Sequence, residues 1–393
     1  MQYRRFGRTE LQIPIFSCGG MRYQHKWQDI PQEEIPIESQ INLEKIITTA
    51  LDVGINHIET ARFYGTSEMQ LGKILPNLPR EKLIIQTKNA PKENIKDFLV
   101  DFETSLNYLN LDYVDLFSIH GINNQELLDW TVRPGGCLEA AQKLQAQGKI
   151  KFIGFSTHAP TDLIIRTIES NQFDYVNLHY YWINQSNWPA IESANAFDMG
   201  VFIISPSDKG GKLYEPPSKL KNLCQPLSPI VFNDLFCLSH PQVHTLSIGA
   251  AKPEDFAEHL KAIPLLAQAK EHWQPISQRL EQEAFAVLGQ DWLKTWHLGL
   301  PSWEDTPDHI NIGLILWLRN LALAYDMKDY ATMRYNLLGN ANHWFPGNQA
   351  TNIKNIDLSE CLLDSPYKEA IPDLLLEADE LLKGEKVKRL SQT

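Results

Sequence analysis

Four residues of the types that support proton transfer fall at or just beyond the ends of three consecutive predicted strands: Glu59, Tyr64, Lys88 and His120. A phenol is a weak acid at neutral pH, with an unperturbed pKa of about 10. A nearby ammonium lowers that pKa, a carboxylate keeps the ammonium charged and oriented, and an imidazole can hold a carbonyl oxygen. This combination suits a general acid that protonates a carbonyl as it is reduced.

Each of the four residues also has a purely structural explanation when it is taken alone. A tyrosine near a strand end usually packs, and a single histidine such as His120 is more often a hydrogen-bonded core residue. Lys88 is the most informative, because burying a lysine at a strand end costs free energy unless its charge is paired. The occurrence of all four on consecutive strands favours the catalytic interpretation.

The elements that must position these residues alternate between short β-branched runs and longer amphipathic segments. Eight strands are predicted, at residues 13–17, 54–60, 83–88, 113–120, 151–156, 174–179, 200–205 and 243–249. Predicted helices separate them, among them 43–53, 92–109, 138–147, 162–170, 188–199 and 253–262. Eight parallel βα units predict an α/β fold, a closed (β/α)8 TIM barrel. The alternative, a doubly wound sheet, would need G-x-G-x-x-G after an early strand, and Gly19-Gly20 lacks that spacing.

Two insertions and a helical tail depart from this alternation. Residues 22–40 are rich in Gln, Glu and Pro, which predicts either a polar loop at the rim of the site or a disordered segment. The Gly, Pro and Lys content of residues 209–227 predicts a loop. Beyond residue 265 only helices are predicted, at 274–288, 310–325, 329–338 and 369–382, and six of the ten tryptophans lie there, as core or interface residues. We therefore expect a barrel at 1–265 and an additional all-helical domain at 266–393.

Composition limits the class of protein. The 393 residues are 43% hydrophobic, enough for a large core, and carry a net charge of −12. The acidity argues against nucleic-acid and anionic-membrane partners. The five cysteines are widely spaced without C-x-x-C, which favours reduced thiols over a zinc site or disulfides. With no signal-like or membrane-spanning run, a cytoplasmic protein is expected.

Several motifs resemble those of the aldo-keto reductases. Residues 54–72, GINHIETARFYGTSEMQLG, resemble the signature of that family, and residues 3–11, YRRFGRTEL, resemble its N-terminal hairpin. Gln86-Thr87-Lys88 and residues 116–120 fall where the family carries its lysine and histidine. The resemblance implies a barrel that uses NAD(P)H to reduce an aldehyde or ketone, with Tyr64 as the proton donor and a small carbonyl compound as substrate.

The resemblance also implies where a dinucleotide would bind. The residues assigned to it are Gly20, Met21, Ser156, Thr157, Asn177, Ser205, Ser207, Lys209, Gly211, Gly249, Ala251, Lys252, Asp255 and Glu258. The last loop opens a helix, whose N-terminus favours anions, and Lys252 can pair with a 2′-phosphate. Asp255 stands where many NADP-dependent members have Arg. It would either repel that phosphate or act as a solvated first-turn acid. The expected cofactor is NADPH, with NADH as the alternative.

The chain departs from the family pattern at four positions in the barrel. Glu59 replaces the usual Asp, Ser156-Thr157 replaces Ser-Asn, Asn177 replaces a Gln, and Ile204 replaces an aromatic residue. These changes are typical of a divergent branch that retains the proton-transfer residues.

The tail resembles the ferredoxin-like helical extension of one aldo-keto reductase subgroup, on the residues 310–320, Arg334-Tyr335 and residues 359–361. Such extensions carry several cysteines for iron–sulfur clusters, whereas this tail contains only Cys361 and a cluster normally takes four thiolates. We therefore expect no Fe–S cluster and a structural or docking role for the tail.

Two other functions remain open on the sequence. Glu59 and the missing aromatic at Ile204 allow a regulatory protein that binds the cofactor with little turnover. The ends of the fourth, fifth and sixth strands carry His120, His158 and His179, which allows a metal-dependent hydrolase. That second alternative is weakened because no H-x-H ends the first strand and no Asp ends the eighth.

Overall fold

The computed structural model describes residues 1–387, which form two compact units. The first comprises Met1–Gly210 and Asn233–Lys270, and the second comprises Gly211–Phe232 and the chain from Glu271 onward. The predicted division at 265/266 differs from this one, since it assigns residues 211–232 to the barrel. That segment is tied to the second unit by an ion pair of 2.6 Å between Lys219 and Glu283. Residues 388–393 of the predicted helical domain lie outside the described residues.

Ten strands are found in the described part of the chain. They are β1 (Tyr3–Arg5), β2 (Gln12–Pro14), β3 (Phe16–Gly19), β4 (His57–Glu59), β5 (Ile84–Asn89), β6 (Val114–His120), β7 (Ile150–Ser156), β8 (Tyr175–Leu178), β9 (Gly200–Ile203) and β10 (Thr245–Gly249). Strands β3 to β10 pair in parallel, and β10 pairs with both β9 and β3, so the sheet closes into an eight-stranded barrel. The predicted (β/α)8 fold is confirmed, and the doubly wound alternative is wrong.

Sixteen α-helices lie within residues 1–387. They are α1 (Ile37–Asp52), α2 (Ser67–Leu71), α3 (Ile95–Leu109), α4 (Gln125–Val132), α5 (Cys137–Ala146), α6 (Thr161–Glu169), α7 (Trp188–Ala196), α8 (Pro206–Lys209), α9 (Ser218–Cys224), α10 (Pro229–Leu238), α11 (Asp255–Leu260), α12 (Ala269–Leu288), α13 (Gln290–Thr295), α14 (Ile312–Tyr325), α15 (Lys328–Tyr335) and α16 (Ile371–Leu382). None of these helices is both long enough and apolar enough to cross a membrane.

Several predicted boundaries are wrong for local reasons. The predicted first strand, 13–17, spans two elements, because Gln12–Pro14 pairs with β1 in a hairpin and the barrel strand begins at Phe16. The predicted loop 209–227 contains α9, in which Leu220 and Cys224 are buried. The predicted insertion 22–40 ends inside α1, which begins at Ile37 after Pro36. Proline is favoured at such helix starts because it cannot donate a backbone hydrogen bond.

The register of the sheet places the predicted site residues at one end of the barrel. Glu59 is the last residue of β4, and Lys88 is the last but one of β5. His120 ends β6 and is aligned with Ser156 on β7, which is aligned with Asn177 on β8. The carboxyl ends of the strands therefore carry these side chains on one rim, the usual place for active sites in this fold.

The N-terminal hairpin closes the opposite end of the barrel. Phe6, which follows β1, is fully buried in a cluster with Ile13, Ile84, Leu116, Tyr175 and Phe202. The guanidinium of Arg4 donates to the backbone oxygens of Leu238 and His240 at 2.7 and 3.3 Å. A side chain at Gly200 would lie 2.6 Å from the Phe6 ring, so this glycine makes room for the aromatic plug.

The second unit is helical, as the tail pattern predicts. Helix α14 is apolar and largely buried, and it packs against α15 and α16. Two polar contacts join these helices: Arg319 pairs with Glu377 at 2.6 Å, and the Tyr335 hydroxyl donates to Asp379 at 2.5 Å.

Candidate active site

A buried ion pair stands at the centre of the rim. The Lys88 Nζ contacts Glu59 Oε1 and donates to the backbone oxygen of Thr60 at 2.8 Å. Lys88 is 1% exposed and Glu59 is 3% exposed. Burial lowers the pKa of the Lys88 ammonium well below its ordinary value, and the carboxylate in contact with it favours the charged form. Two buried charges are thus paired, as the sequence predicts for a lysine at this position.

The longer side chain of Glu59 is accommodated by its neighbours in the barrel. Its second carboxylate oxygen, Oε2, accepts a hydrogen bond of 3.3 Å from the hydroxyl of Ser247 on β10. Gly19 on β3 leaves this space open, since a Cβ there would lie 2.5 Å from Ser247 Oγ and 3.1 Å from Glu59 Oε2. The replacement of Asp by Glu therefore keeps the contact with Lys88. Ser247 is a supporting residue that the sequence did not suggest.

Tyr64 lies between the lysine and the histidine. The Lys88 ammonium is 4.9 Å from the centroid of the Tyr64 ring. The ring also meets His120 edge-on, with centroids 5.8 Å apart, and meets Trp27 in the same manner at 6.2 Å. The structure thus brings together all four residues expected to catalyse proton transfer, together with an aromatic residue from the 22–40 segment.

The first half of the 22–40 segment is an ordered rim loop that packs on the loop carrying Tyr64. The backbone N–H of His25 donates to Thr66 Oγ1 at 2.9 Å, and the N–H of Thr66 donates to the oxygen of Lys26 at 3.0 Å. Gly65 has a φ of 51°, and a Cβ there would lie 1.9 Å from that same oxygen of Lys26. Of the two interpretations of this segment, the polar rim loop is the one observed.

A second buried carboxylate, that of Glu68, connects β5 to the residues near Tyr64. Glu68 on α2 accepts a hydrogen bond of 2.5 Å from the hydroxyl of Thr87, the residue before Lys88. Burial raises the pKa of Glu68 to about 7. Its other oxygen lies 3.5 Å from Arg62, which in turn pairs with Asp29 of the rim loop. The chain Thr87–Glu68–Arg62–Asp29 links the lysine strand to the loop over Tyr64.

The residues expected to hold a nicotinamide carboxamide differ in whether their polar side-chain atoms already have hydrogen-bond partners. The Ser156 hydroxyl accepts from the N–H of Gly121 at 3.0 Å, and the Thr157 hydroxyl donates to the oxygen of Ile122 at 2.7 Å. Asn177, by contrast, is fully buried, and neither its amide nitrogen nor its amide oxygen has a partner among the described residues. A buried amide of this kind is costly unless a ligand pairs with it. A carboxamide, with one donor and one acceptor, fits Asn177.

The loop after β9 contains three of the predicted phosphate-binding residues. Ser205 adopts a left-handed conformation with a φ of 49° and precedes α8. The ammonium of Lys209 lies 3.5 Å from His158 Nε2 and 3.4 Å from His179 Nε2. Those two imidazoles are joined by a hydrogen bond of 2.8 Å. Lys209 therefore contacts a histidine pair that the sequence placed at strand ends without assigning it to the cofactor.

Ser207, the third predicted residue of that loop, belongs to a network that the sequence did not suggest. Its Oγ lies 3.2 Å from Nε2 of His259, and Nδ1 of His259 lies 2.5 Å from Oδ2 of Asp234. Asp234 and His259 are both buried. One signal was available in the sequence, because an aspartate inside the apolar helix α10 is costly unless it is paired. Its partner, 25 residues away, was not readable.

The last predicted phosphate loop is organised by Asp255. Its carboxylate accepts from the N–H groups of Ala251 and Lys252 at 2.8 and 3.3 Å, which are backbone donors that an anion would otherwise find unoccupied. The Lys252 side chain is exposed, and Glu258 pairs with Lys261 at 2.5 Å. These contacts stabilise the carboxylate at the start of α11, and its effect on a 2′-phosphate stays a prediction.

The remaining predicted cofactor residues are Gly20, Met21, Gly249 and Gly211. Gly20 follows β3 and has no room for a side chain, since a Cβ there would lie 2.8 Å from the backbone oxygen of Glu59. Met21 is the next residue along the same loop. Gly249 ends β10, and its backbone oxygen accepts from the guanidinium of Arg22 at 3.1 Å. Gly211 belongs to the second unit, which begins at this residue.

The described His, Cys, Asp and Glu side chains do not support the metal site that three strand-end histidines allowed. His158 and His179 are adjacent, but within residues 1–387 no three His, Cys, Asp or Glu side chains are grouped as a metal ion would require. His120 faces Tyr64 instead.

The barrel of this chain is similar to known proteins. Residues 16–207 match the model of the aldo/keto reductase family. The chain is 27% identical over 188 residues to probable aldo-keto reductase 1 of Glycine max, a match that spans 44% of this chain and 52% of that protein. It is 27% identical over 176 residues to L-glyceraldehyde 3-phosphate reductase of Escherichia coli K12, across 41% and 46% of the two chains. The matches thus span about half the length of these relatives.

Solved structures show the same fold. The aldo-keto reductase AKR11C1 of Bacillus halodurans in its holo form superposes with a TM-score of 0.57 at 20% identity, over 70% of this chain and 96% of its own. A thermostable aldo-keto reductase, Tm1743, superposes with a TM-score of 0.59 at 24% identity, over 71% of this chain and the whole of its own.

Proposed function

Because the barrel of this chain belongs to the aldo/keto reductase family, we propose that the protein is an NAD(P)H-dependent oxidoreductase that reduces the carbonyl group of an aldehyde or ketone. The relative from Escherichia coli is named as a reductase of a phosphorylated aldehyde, which supports an aldehyde as substrate. One observation carries the proposal: the buried Lys88–Glu59 pair lies against Tyr64, and Tyr64 lies against His120.

A bound dihydronicotinamide would supply the hydride for the reduction. The residues of the chain supply the proton and hold the carbonyl. The Tyr64 hydroxyl donates its proton to the carbonyl oxygen as negative charge develops there. The Lys88 charge beside the phenol stabilises the phenolate that remains, and Glu59 keeps Lys88 charged and in place. His120 lies at the edge of the Tyr64 ring, where an imidazole can hold the same oxygen.

The unpartnered amide of Asn177 supports the proposed position of the nicotinamide. Its donor and acceptor match those of a carboxamide, so that binding would remove the cost of two unpaired buried polar atoms. We propose NADPH as the cofactor on the strength of the exposed Lys252, which can reach an added phosphate. Asp255 opposes this preference with its charge, although two backbone N–H groups already stabilise that charge.

The alternative function is a regulatory protein on the same fold that binds the dinucleotide with little turnover. The observation that favours it is the side chain at Ile204, where a stacking aromatic is usual. The Ile204 backbone oxygen accepts a hydrogen bond from Tyr181, so it is tied to the rim through its backbone. Without a stacked ring, the nicotinamide would be held by the carboxamide contact alone.

The deciding experiment titrates the purified protein with NADPH and with NADH while following tryptophan fluorescence. It then measures turnover of an aldehyde panel by the loss of reduced nicotinamide. We expect multiple turnovers, with Tyr64→Phe slower by about 100-fold or more, since general-acid catalysis contributes that much. Binding of the dinucleotide by Tyr64→Phe should match the unmodified protein.

Tyr3→Phe is the matched control, because Tyr3 donates to Gly54 on the outside of the N-terminal hairpin and makes no contact with the rim. Its turnover should equal that of the unmodified protein. Binding of a dinucleotide without turnover by any aldehyde would favour the regulatory protein. Binding of neither dinucleotide would contradict both functions.

A further inference from the structure

The buried pair Asp234–His259 reaches the loop after β9 through a single hydroxyl. Asp234 Oδ2 lies 2.5 Å from His259 Nδ1, and His259 Nε2 lies 3.2 Å from Ser207 Oγ. The three side chains come from α10, α11 and α8 and all belong to the first unit. Only the serine is partly exposed, so the pair can act on a ligand only through Ser207.

The aspartate fixes which nitrogen of the imidazole faces the serine. With Asp234 ionised, Nδ1 carries a hydrogen and donates to the carboxylate, and Nε2 is left to face Ser207. Burial raises the pKa of Asp234, and the neighbouring imidazole opposes that shift.

The protonation state of His259 decides what the Ser207 hydroxyl can do. When the imidazole is neutral, Nε2 is an acceptor and takes the hydroxyl hydrogen of Ser207 for itself. When the imidazole is protonated, Nε2–H donates to Oγ, and the hydroxyl hydrogen is released to point at a ligand. A hydroxyl that donates, with a positive charge directly behind it, is suited to a phosphate oxygen.

We propose that Asp234 and His259 are positioning residues that turn Ser207 into a phosphate donor, and that dinucleotide binding is thereby linked to the uptake of a proton by His259. This inference rests on the proposed function, since the phosphate belongs to the dinucleotide. The phosphate is either the pyrophosphate, which NADH and NADPH share, or the 2′-phosphate, which only NADPH carries.

A pH dependence of binding can be assigned to His259 by considering the groups that face it. Those that face it are Asp234 on α10, Ser207 on α8 and the Phe16 ring on β3, whose centroid is 5.7 Å from that of the imidazole. Glu258, the preceding residue, pairs with Lys261. Imidazole is the side chain whose charge ordinarily changes between pH 5 and 8, whereas free carboxylates and ammonium groups keep theirs across that range.

The test measures the dissociation constants of NADH and NADPH by calorimetry between pH 6 and 8.5. For the unmodified protein we expect the affinity to fall about tenfold across this range, since a hydrogen bond to a charged group is worth that much. His259→Gln retains a polar side chain that cannot become charged, so its affinity should be low and should lack the part of the pH dependence that His259 supplies. Ser207→Ala should behave in the same way, because it removes the only group that joins the pair to the ligand.

Comparison of the two dinucleotides identifies the phosphate. If the pyrophosphate is the ligand, both dinucleotides show the pH dependence and both lose it in the variants. If the 2′-phosphate is the ligand, only the binding of NADPH depends on pH, and only that binding loses the dependence in the variants. A phosphate monoester itself titrates near pH 6, and the change that persists in His259→Gln measures this contribution.

Three results would overturn the inference. The first is an unmodified protein whose affinities for both dinucleotides are independent of pH. The second is a pH dependence that is as large in both folded variants as in the unmodified protein. The third is a loss of pH dependence in His244→Gln equal to that in His259→Gln, because the partly buried His244 accepts from the N–H of Val201 and makes no hydrogen bond to Ser207. If the unmodified protein binds neither dinucleotide, the proposed function fails as well, which separates that outcome from the others.

Discussion

The ammonium nitrogen of Lys88 lies 4.9 Å from the centroid of the Tyr64 ring, so the lysine charge faces the phenol that it is expected to activate. We expect Lys88→Met to lower kcat about 100- to 1000-fold, because a phenol without a neighbouring cation is a poorer acid and its phenolate is unstabilised. Dinucleotide affinity should change much less than kcat. Steady-state kinetics with an accepted aldehyde, combined with fluorescence titration, separates the two effects.

Lys143→Met is the control for this change, since Lys143 is exposed and pairs with Glu139 on the outer helix α5. Lys88→Arg keeps the charge and avoids leaving Glu59 unpaired, but the planar guanidinium has a different geometry and should still reduce kcat. An unchanged kcat in a folded Lys88→Met protein would contradict the role of the lysine.

Glu59 contributes to stability as well as to chemistry. Glu59→Gln leaves the Lys88 ammonium buried without a counter-charge, and breaking a buried pair in this way typically costs about 3–5 kcal/mol. We therefore expect a clear fall in the midpoint of thermal unfolding, followed by circular dichroism. Glu139→Gln, the same change in an exposed pair, should leave the midpoint almost unaltered. Equal midpoints for the two variants would show that Lys88 is not held as an ion pair.

The raised pKa of Glu68 makes the stability of the barrel depend on pH. Because burial raises this pKa to about 7 from 4.5, the folded state binds more protons than the unfolded state between these values. The free energy of unfolding must then fall as pH rises through this range. Glu68→Gln removes the effect, so from pH 5 to pH 8 the variant should gain about 2 kcal/mol relative to the unmodified protein.

Chemical denaturation at several pH values measures this difference. The exposed residue Glu139 provides the control, since Glu139→Gln should show no comparable change relative to the unmodified protein. A stability difference for Glu68→Gln that stays constant from pH 5 to pH 8 would mean that Glu68 is ionised throughout that range.

The contact between Gly65 and the rim loop can be tested with a pair of glycine variants. Gly65→Ala places a Cβ 1.9 Å from the oxygen of Lys26 and also strains a φ of 51°. Gly148→Ala strains a φ of 78° but has open space around it, so it should cost only about 1 kcal/mol. We expect Gly65→Ala alone to lower kcat, because the loop that packs on Tyr64 must move. Equal kcat values for the two variants would exclude a role of the rim loop in positioning Tyr64.

The sequence was sufficient for the barrel and for the assembly around Lys88. Alternating strands and helices allow few topologies, and the carboxyl ends of parallel strands meet on one rim. The sequence therefore predicts that Glu59, Lys88 and His120 lie together. The structure confirms that they adjoin. Their catalytic roles stay predictions, as do those of the residues assigned to the cofactor.

Contacts made by side chains from distant elements could not be predicted in the same way. The pairing of Asp234 with His259 depends on how two helices pack, and a local pattern does not contain that information. The break between β2 and β3 depends on pairing with β1, which overrides the continuous apolar run from Ile13 to Phe16. The contact of Lys209 with His158 and His179 likewise depends on the conformation of the loop after β9.

The aromatic plug at Phe6 has a consequence for the order of folding. Its hairpin contacts Gly200, Leu238 and His240, which lie about 200 residues away in the sequence. Contacts between residues so far apart in sequence form late, because a long loop must first be closed. The end of the barrel at Phe6 therefore cannot close until β9 and α10 have taken their places. Until then the side chains of Phe6 and Ile13, which are fully buried in the folded protein, stay exposed to water.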